Sequence, residues 1–151
     1  MKQLIALFLI LLACGLAGYG QDKTDINDAA ASRVLLGPHG LSLQWISWDY
    51  FGVANVTNRR GIYSIDGEQK GRGKNNSDFV KIHGVITSVD AKQFAFSGKI
   101  TTQVSHINGG KPCVRDGEFT FKITGKRRYW RLQQMDNPCD PVTDYVDIYF
   151  R

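Results

Sequence analysis

The chain has 151 residues and carries 19 Lys and Arg against 14 Asp and Glu, which gives a formal net charge of +5. This length fits one domain and leaves little room for a second hydrophobic core. The charge is too mild to define a nucleic-acid-binding protein by itself.

Residues 1–20 have the pattern of a bacterial export signal, with an apolar run from Leu4 to Leu12 between a basic residue and small residues. The run is shorter than the roughly 20 apolar residues of a membrane-spanning helix. We favour cleavage after Gly20, which predicts a secreted or periplasmic protein. Alternatively, the residues before Cys14 resemble a lipoprotein box, and a lipid on Cys14 would anchor the chain to a membrane.

An exported protein rarely meets polynucleotides, so we expect no nucleic-acid partner. Anionic glycans, lipid head groups or acidic proteins are better matched to a basic chain. A membrane contact is expected only if Cys14 carries a lipid. No motif for a metal or another cofactor is present, so neither is predicted.

Cysteine usage agrees with export. Once Cys14 is assigned to the signal or to a lipid, Cys113 and Cys139 form the only pair in the folded part. An even number of cysteines in an oxidising compartment predicts a disulfide, and no further ligands at metal-site spacing accompany these two.

Residues 21–40 begin with polar side chains and predict a tether or a short helix, from about Ile26 to Leu35 and capped by Thr24 or Asp25. From Leu41 onward the hydrophobic period becomes two, with turn residues between the apolar runs. Eight strands are predicted in residues 41–151, at 41–48, 51–57, 61–70, 79–89, 93–106, 114–124, 127–135 and 142–150.

This order predicts an all-β domain, a single antiparallel meander that closes as a small up-and-down barrel or packs as a two-sheet sandwich. In outline the barrel is similar to lipocalins and other calycins, although the Gly-x-Trp motif of lipocalins is absent. The resemblance implies a small apolar ligand in the barrel. Alternatively, bulky inward-facing rings such as Phe94, Phe96 and Phe121 fill the interior completely.

The last predicted hairpin has a turn signal at Gly125-Lys126. Placing Phe121 opposite Trp130 aligns two apolar faces and leaves this pair as a two-residue loop. The same register brings Cys113 opposite Pro138, one residue from its predicted disulfide partner. Because alternation sends Trp130 inward and Arg131 outward, the basic segment around them predicts a solvated hairpin tip rather than a polynucleotide site.

Four residues are candidates for ligand binding. Asp144 shares its parity with apolar neighbours and should face the core, where an Arg or Tyr from another strand has to pair with it. Such a pair is either purely structural or a polar anchor in a binding cavity. His106 is expected at the inward end of a strand, whereas Trp48 and Tyr50 lie at a corner where they either seal the barrel or stack on a ligand.

These features predict an exported, non-enzymatic β-domain that binds a small apolar, amphipathic or anionic ligand, or an envelope partner. The alternative is an envelope enzyme or enzyme inhibitor acting on cell-wall or glycan material. That alternative requires His106 within hydrogen-bond reach of a carboxylate in a cleft.

Overall fold

The computed structural model describes residues 22–151, so the predicted export signal at residues 1–20 and the predicted lipidation at Cys14 lie outside the described residues. Two short 3₁₀ turns, at Gly73–Asn75 and Asn108–Gly110, interrupt the loops. The strands and the helix are β1 (Asp25–Ile26), α1 (Ala29–Leu35), β2 (Gly37–Leu43), β3 (Gly52–Arg59), β4 (Ile62–Lys70), β5 (Phe79–Val89), β6 (Gln93–Gln103), β7 (Cys113–Lys122), β8 (Tyr129–Leu132) and β9 (Val146–Tyr149).

Strands β2 to β9 form a closed antiparallel barrel in which each strand pairs with the next along the chain. The ring closes where β9 pairs with β2, with Leu41 opposite Ile148. β1 lies outside the ring and pairs in parallel with the end of β5. The prediction of an all-β up-and-down barrel with a short N-terminal helix is confirmed, and the sandwich alternative is wrong.

Large apolar side chains fill the interior of the barrel, because alternate residues of every strand point inward. Aromatic rings stack within it, with the ring centroids of Phe94 and Phe121 5.1 Å apart. The largest completely buried side chains from the strands are Leu41, Leu43, Ile65, Ile82, Ile86, Phe94, Phe96, Ile100, Phe121, Leu132 and Ile148. An eight-stranded barrel has an interior about wide enough for side chains alone, and bulky ones occupy this one.

A row of glycines crosses three strands, with Gly84 opposite Gly98 and Gly98 opposite Gly117. The ring of Phe96 lies against this row, since a Cβ atom on Gly84 would come within 2.7 Å of its Cε2 atom. Glycines in strand interiors mark sharp bends where another group approaches the backbone. The row therefore lets β5, β6 and β7 curl tightly while an aromatic ring covers the bare backbone.

The helix begins later than predicted. Asp28, rather than Thr24 or Asp25, is its N-cap, and the Asp28 side chain accepts a hydrogen bond of 2.7 Å from the amide of Ala31. Thr24 is instead buried, and its hydroxyl donates to the carbonyl oxygen of Ile86 over 2.7 Å. Because Asp25 and Ile26 pair with β5 as β1, they are not free to start the helix.

The first barrel strand is also shifted from its predicted range of 41–48. β2 begins at Gly37 and ends at Leu43, where the chain leaves the sheet. The buried side chain of Gln69 replaces the strand ladder at that point, accepting from the Leu43 amide over 2.8 Å and donating to the Tyr50 carbonyl oxygen over 2.9 Å. A single buried amide thus holds the loop between β2 and β3.

The predicted register of the last hairpin is wrong by two residues. Phe121 lies opposite Leu132 rather than Trp130, and the connection between β7 and β8 spans residues 123–128 instead of a two-residue turn. A shift of two preserves the inward and outward faces, whereas a shift of one would exchange them. The predicted orientations of Trp130 and Arg131 therefore hold despite the wrong turn.

The predicted disulfide is confirmed, since Cys113 and Cys139 are joined across 26 positions of sequence, with Cα atoms 5.9 Å apart. Residues 133–145, which contain the second cysteine, form an irregular corner rather than strand. The side chain of Asn137 organises this corner by accepting a hydrogen bond of 2.8 Å from the Cys139 amide. This corner shortens β8 and β9 relative to their predicted ranges.

Replacing Cys113 and Cys139 together by Ala should lower the free energy of unfolding by about 3 kcal/mol, because the bond closes a loop across 26 positions in the unfolded chain. Denaturant titration of the wild-type and double-variant proteins measures the difference. A reductant should destabilise the wild type by a similar amount and leave the variant unchanged. Two free thiols in the unreduced wild-type protein would contradict the assignment.

Candidate functional site

The barrel has two different mouths, which the strand directions define. We call the mouth with loops 44–51, 71–78, 104–112 and 133–145 the disulfide mouth. The opposite mouth, which α1, turn 90–92, loop 123–128 and Phe150 surround, is the helix mouth. All four ligand-binding candidates predicted from the sequence lie at the disulfide mouth.

Asp144 is completely buried and is the centre of a polar cluster at the disulfide mouth. Its Oδ2 atom lies 3.3 Å from the Arg115 guanidinium and accepts a 3.0 Å hydrogen bond from the Asn137 amide. Its Oδ1 atom accepts from the Trp45 indole N–H over 3.0 Å. Asp144 therefore faces the interior and has an Arg partner from β7, as both the structural and the ligand-anchor alternatives require.

Burial raises the pKa of the Asp144 carboxyl above its ordinary value, and the Arg115 charge and the hydrogen bonds from Trp45 and Asn137 offset only part of that rise. Burial also lowers the pKa of the Arg115 guanidinium. Because the folded-state pKa of Asp144 exceeds the unfolded value of about 3.9, this group's contribution to stability falls as the pH rises through both values. The Asp144–Arg115 ion pair therefore fixes the orientation of these side chains more than it adds to the free energy of unfolding.

The other three candidates lie in loops of the same mouth and make no hydrogen bond to Asp144. The expected inward position of His106 at the end of a strand is wrong, since it is exposed in the loop after β6. Its ring contacts Trp45 edge-on, with ring centroids 5.9 Å apart. The guanidinium of Arg72 lies over the ring of Tyr50, 3.8 Å from its centroid, and Trp48 projects into solvent with 49% of its surface exposed. Their predicted role in ligand binding stays a prediction.

The disulfide mouth does not show the acid and base that the enzyme hypothesis requires. Among residues 22–151, His106 has no carboxylate within ion-pair distance, and every oxygen of Asp144 is already bonded inside the cluster. In the same residues no group of three or more His, Cys, Asp or Glu side chains is placed to hold a metal ion.

A groove of about 310 Å³ opens at the helix mouth, between α1 and the barrel rim. We call it the helix groove; it is lined by Asp28, Ala30, Ala31, Val34, Ala91, Ile123, Trp130 and Phe150. Seven of these eight side chains are apolar. A larger depression of about 680 Å³ near β1 is bordered mainly by charged and hydroxyl side chains, so it offers an apolar ligand little contact.

Trp130 makes the floor of the helix groove rigid. It is only 4% exposed, and its ring contacts Phe150 edge-on with centroids 4.3 Å apart. A second edge contact, of 5.5 Å, joins it to the buried ring of His39, whose Nε2 atom lies 2.8 Å from the Leu35 carbonyl oxygen at the end of α1. The floor is thus tied to the helix that forms the opposite wall.

The groove exists because α1 presents small side chains to an aromatic floor. Ala30 and Ala31 leave open space where longer residues would close it, while Val34 is 51% exposed at the edge. Sequence reasoning missed this site. Its one sequence signal is the run of three alanines at the start of α1, and the facing residues are at least 57 positions away in the sequence, from Ala91 to Phe150.

Comparison with known proteins gives a family. Residues 23–150 match the PM1083 family. The chain belongs to the PM1083 family. A relative from Pasteurella multocida (strain Pm70), named Uncharacterized protein PM1083, is 48% identical over 116 residues, which cover 77% of this chain and 73% of the relative. No solved structure matches significantly.

The family name assigns no ligand or reaction, so the functional argument for this PM1083-family protein depends on its geometry. Residues 22–151 contain no helix that is both long and apolar enough to cross a membrane. The Cys113–Cys139 disulfide is consistent with an oxidising, extracytoplasmic compartment.

In this PM1083-family protein, Asp144→Asn should destabilise the fold by about 3 kcal/mol at pH 7, because it leaves the buried Arg115 guanidinium without a counter-charge. Denaturant titration measures the loss. Adding Arg115→Met should recover most of it, since an apolar side chain then replaces the orphaned charge.

The matched control is Asp66→Asn, which removes a carboxylate that is 79% exposed and pairs with His83. Its free energy of unfolding should stay within about 0.5 kcal/mol of wild type. Equal losses at Asp66 and Asp144, or no recovery in the double variant, would contradict the assignment of a buried ion pair.

Proposed function

We propose that this chain is a non-enzymatic binding protein of the bacterial envelope, which holds a small amphipathic ligand in the helix groove. The observation that carries the proposal is an apolar groove with an ordered aromatic floor, open to solvent beside a filled barrel. Concave apolar sites with few polar groups are the usual binding sites for small molecules.

The filled interior separates this chain from barrels that enclose their ligand. Phe94, Phe96 and Phe121 are completely buried and occupy the centre, where a lipocalin-like ligand would lie. An incoming molecule would have to displace these packed rings, which costs more free energy than it returns. The architectural likeness to lipocalins therefore does not extend to an internal site.

The size of the groove favours a short ligand. Small-molecule sites generally measure about 300–1,000 Å³, and a groove of about 310 Å³ lies at the lower end of that range. A single alkyl chain or a small ring system fits such a volume better than a large lipid with several chains.

The charge around the groove favours an anionic head group. Exposed cations stand next to lining residues in the chain: Lys92 follows Ala91, and Arg151 follows Phe150. The acidic residues there are engaged: Asp28 caps α1, and Asp90, which precedes Ala91, accepts a 3.0 Å hydrogen bond from Asn27. An apolar tail in the groove would leave an anionic head among these cations at the rim.

The proposed location in the envelope is supported by the disulfide and by the export pattern in residues 1–20. An envelope protein meets detergents, fatty acids and lipid fragments, which have the amphipathic character that the groove fits. Whether the chain is released or carries a lipid at Cys14 does not alter this binding site.

The helix groove should bind decanoate saturably, and the bound ligand should raise the melting temperature because it binds only the folded state. Ala30→Trp fills the groove from an exposed helix position, so we expect at least about tenfold weaker binding, which corresponds to about 1.4 kcal/mol. Titration calorimetry with the full chain gives the affinities.

The matched control is Ala29→Trp, since Ala29 is also exposed on α1 but does not line the groove. It should bind decanoate as the wild type does. Decanol, which has no charge, should bind less tightly, and salt should narrow the difference because it screens exposed cations. Equal loss in both Trp variants, or no saturable binding of either compound, would overturn the proposal.

A further inference from the structure

A row of aromatic side chains lies on the outer surface of the barrel, on the wall that β2, β8 and β9 form. Tyr129, Tyr145 and Tyr149 point outward because they alternate with inward-facing residues such as Trp130 and Ile148. Phe51, the residue before β3, lies over Gly40 of β2 and stacks on Tyr149. We call these four rings the aromatic wall.

Three rings of the aromatic wall form a continuous surface, and the Arg131 guanidinium joins the fourth, Tyr145, to them. Phe51 stacks on Tyr149 with centroids 4.4 Å apart and an interplanar angle of 15°, and Tyr149 lies 5.0 Å from Tyr129. Gly40 makes room for this arrangement, since a Cβ atom there would come within 3.1 Å of the Phe51 ring. Phe51 nevertheless remains 45% exposed.

An ion pair fixes the centre of the wall. Arg131 donates two hydrogen bonds of 2.7 Å to the carboxylate of Asp147, which is completely buried on this outer face. The guanidinium also lies 4.2 Å from the centroid of the Tyr145 ring and 5.3 Å from that of Tyr129. The negative charge of Asp147 is therefore neutralised and hidden from solvent.

Two cations flank the aromatic wall, and two more are exposed close by in the sequence. Arg127 lies over the ring of Tyr129, 5.6 Å from its centroid, and Lys122 is directly opposite Arg131 in the sheet. Arg128 and Lys126 are exposed in the same connection between β7 and β8. Within residues 22–151 none of these four cations takes part in an ion pair.

We propose that the aromatic wall and these four cations form a binding surface for an acidic polysaccharide. The exposed faces and edges of the rings suit the C–H faces of sugar rings, and the unpaired cations suit their carboxylate or sulfate groups. The carboxylate of Asp147, at the centre of the wall, is bound by Arg131 and buried, so it does not repel a polyanion.

Other polyanionic partners fit the surface less well. A lipid bilayer requires protruding apolar side chains, but Tyr129 lies against Tyr149 and Tyr145 lies against the Arg131 guanidinium. Phe51 is the one exposed large apolar side chain among the four rings. An acidic protein could pair with the cations without using the rings. A polynucleotide would use both, but the disulfide indicates an oxidising compartment in which polynucleotides are uncommon.

This surface is separate from the helix groove, so the proposal does not depend on the proposed function. The two share no lining residue, because the groove uses Trp130 and Phe150, whereas the wall uses the outward-facing Tyr129 and Tyr149. Binding of a glycan at the wall would place the groove beside the polymer.

The test is affinity electrophoresis of the full chain in gels that contain polygalacturonate, with neutral dextran as the comparison polymer. We expect retardation by polygalacturonate alone, decreasing with salt. The double variant Arg127→Ser/Arg128→Ser should weaken retention about tenfold, since it removes two charge-assisted contacts. Phe51→Leu keeps the apolar surface but removes a ring, and should weaken retention about fivefold.

The matched charge control is Arg59→Ser/Arg60→Ser, an exposed arginine pair at the turn between β3 and β4, away from the wall. It should retain wild-type binding, as should Ala30→Trp in the helix groove. Thermal melting confirms that each variant is folded.

Equal loss in both arginine pairs would overturn the proposal, because it would reveal attraction by net charge alone. Unchanged retention of Phe51→Leu would also overturn the proposal, because it would show that the rings take no part in binding. Tighter binding to oligothymidylate, to phosphatidylglycerol vesicles or to an acidic peptide than to polygalacturonate would assign the surface to that class instead.

Discussion

Pairing between β2 and β9 is the contact on which the rest of the molecule depends, because it converts an open meander into a closed barrel. Closure removes the exposed strand edges and fixes the interior diameter. Once eight strands enclose that interior, the rings that the sequence directs inward leave no central space. We therefore place both proposed binding sites on the outside of the barrel, one at a mouth and one on the wall.

Two buried ion pairs lie on opposite sides of the barrel wall, one inside and one outside. Asp144 and Arg115 lie inside the disulfide mouth, where burial opposes both charges and neighbouring donors hold them in place. Asp147 and Arg131 lie on the outer wall, where aromatic rings cover the carboxylate and leave the arginine partly accessible. The first pair orders a corner of the fold, and the second organises a surface.

Much of the fold could be predicted from local pattern. The alternation of side chains gave the correct faces for Trp130, Arg131 and Asp144, and cysteine counting gave the correct disulfide. The shifted end of β2 arose where a distant side chain replaced backbone pairing. β2 ends at Leu43, whose amide donates to the Gln69 side chain 26 positions away. No residue near Leu43 in the sequence indicates that hydrogen bond.

The two proposed sites were less predictable than the fold for a related reason. The helix groove combines the start of α1 with Phe150, and the aromatic wall combines Phe51 with residues of β8 and β9. Each ring alone looks like an ordinary outward or terminal aromatic. Only closure of the barrel brings the first and last strands side by side and turns scattered rings into continuous surfaces.

The end of β9 and the residue after it serve three environments with three successive side chains. Ile148 enters the core, Tyr149 belongs to the aromatic wall and Phe150 lines the helix groove. A slip of one position would exchange all three assignments at once. Across the family, this segment should accept exchanges of one side chain for another but reject insertions and deletions, so alignments of PM1083 relatives should be free of gaps here.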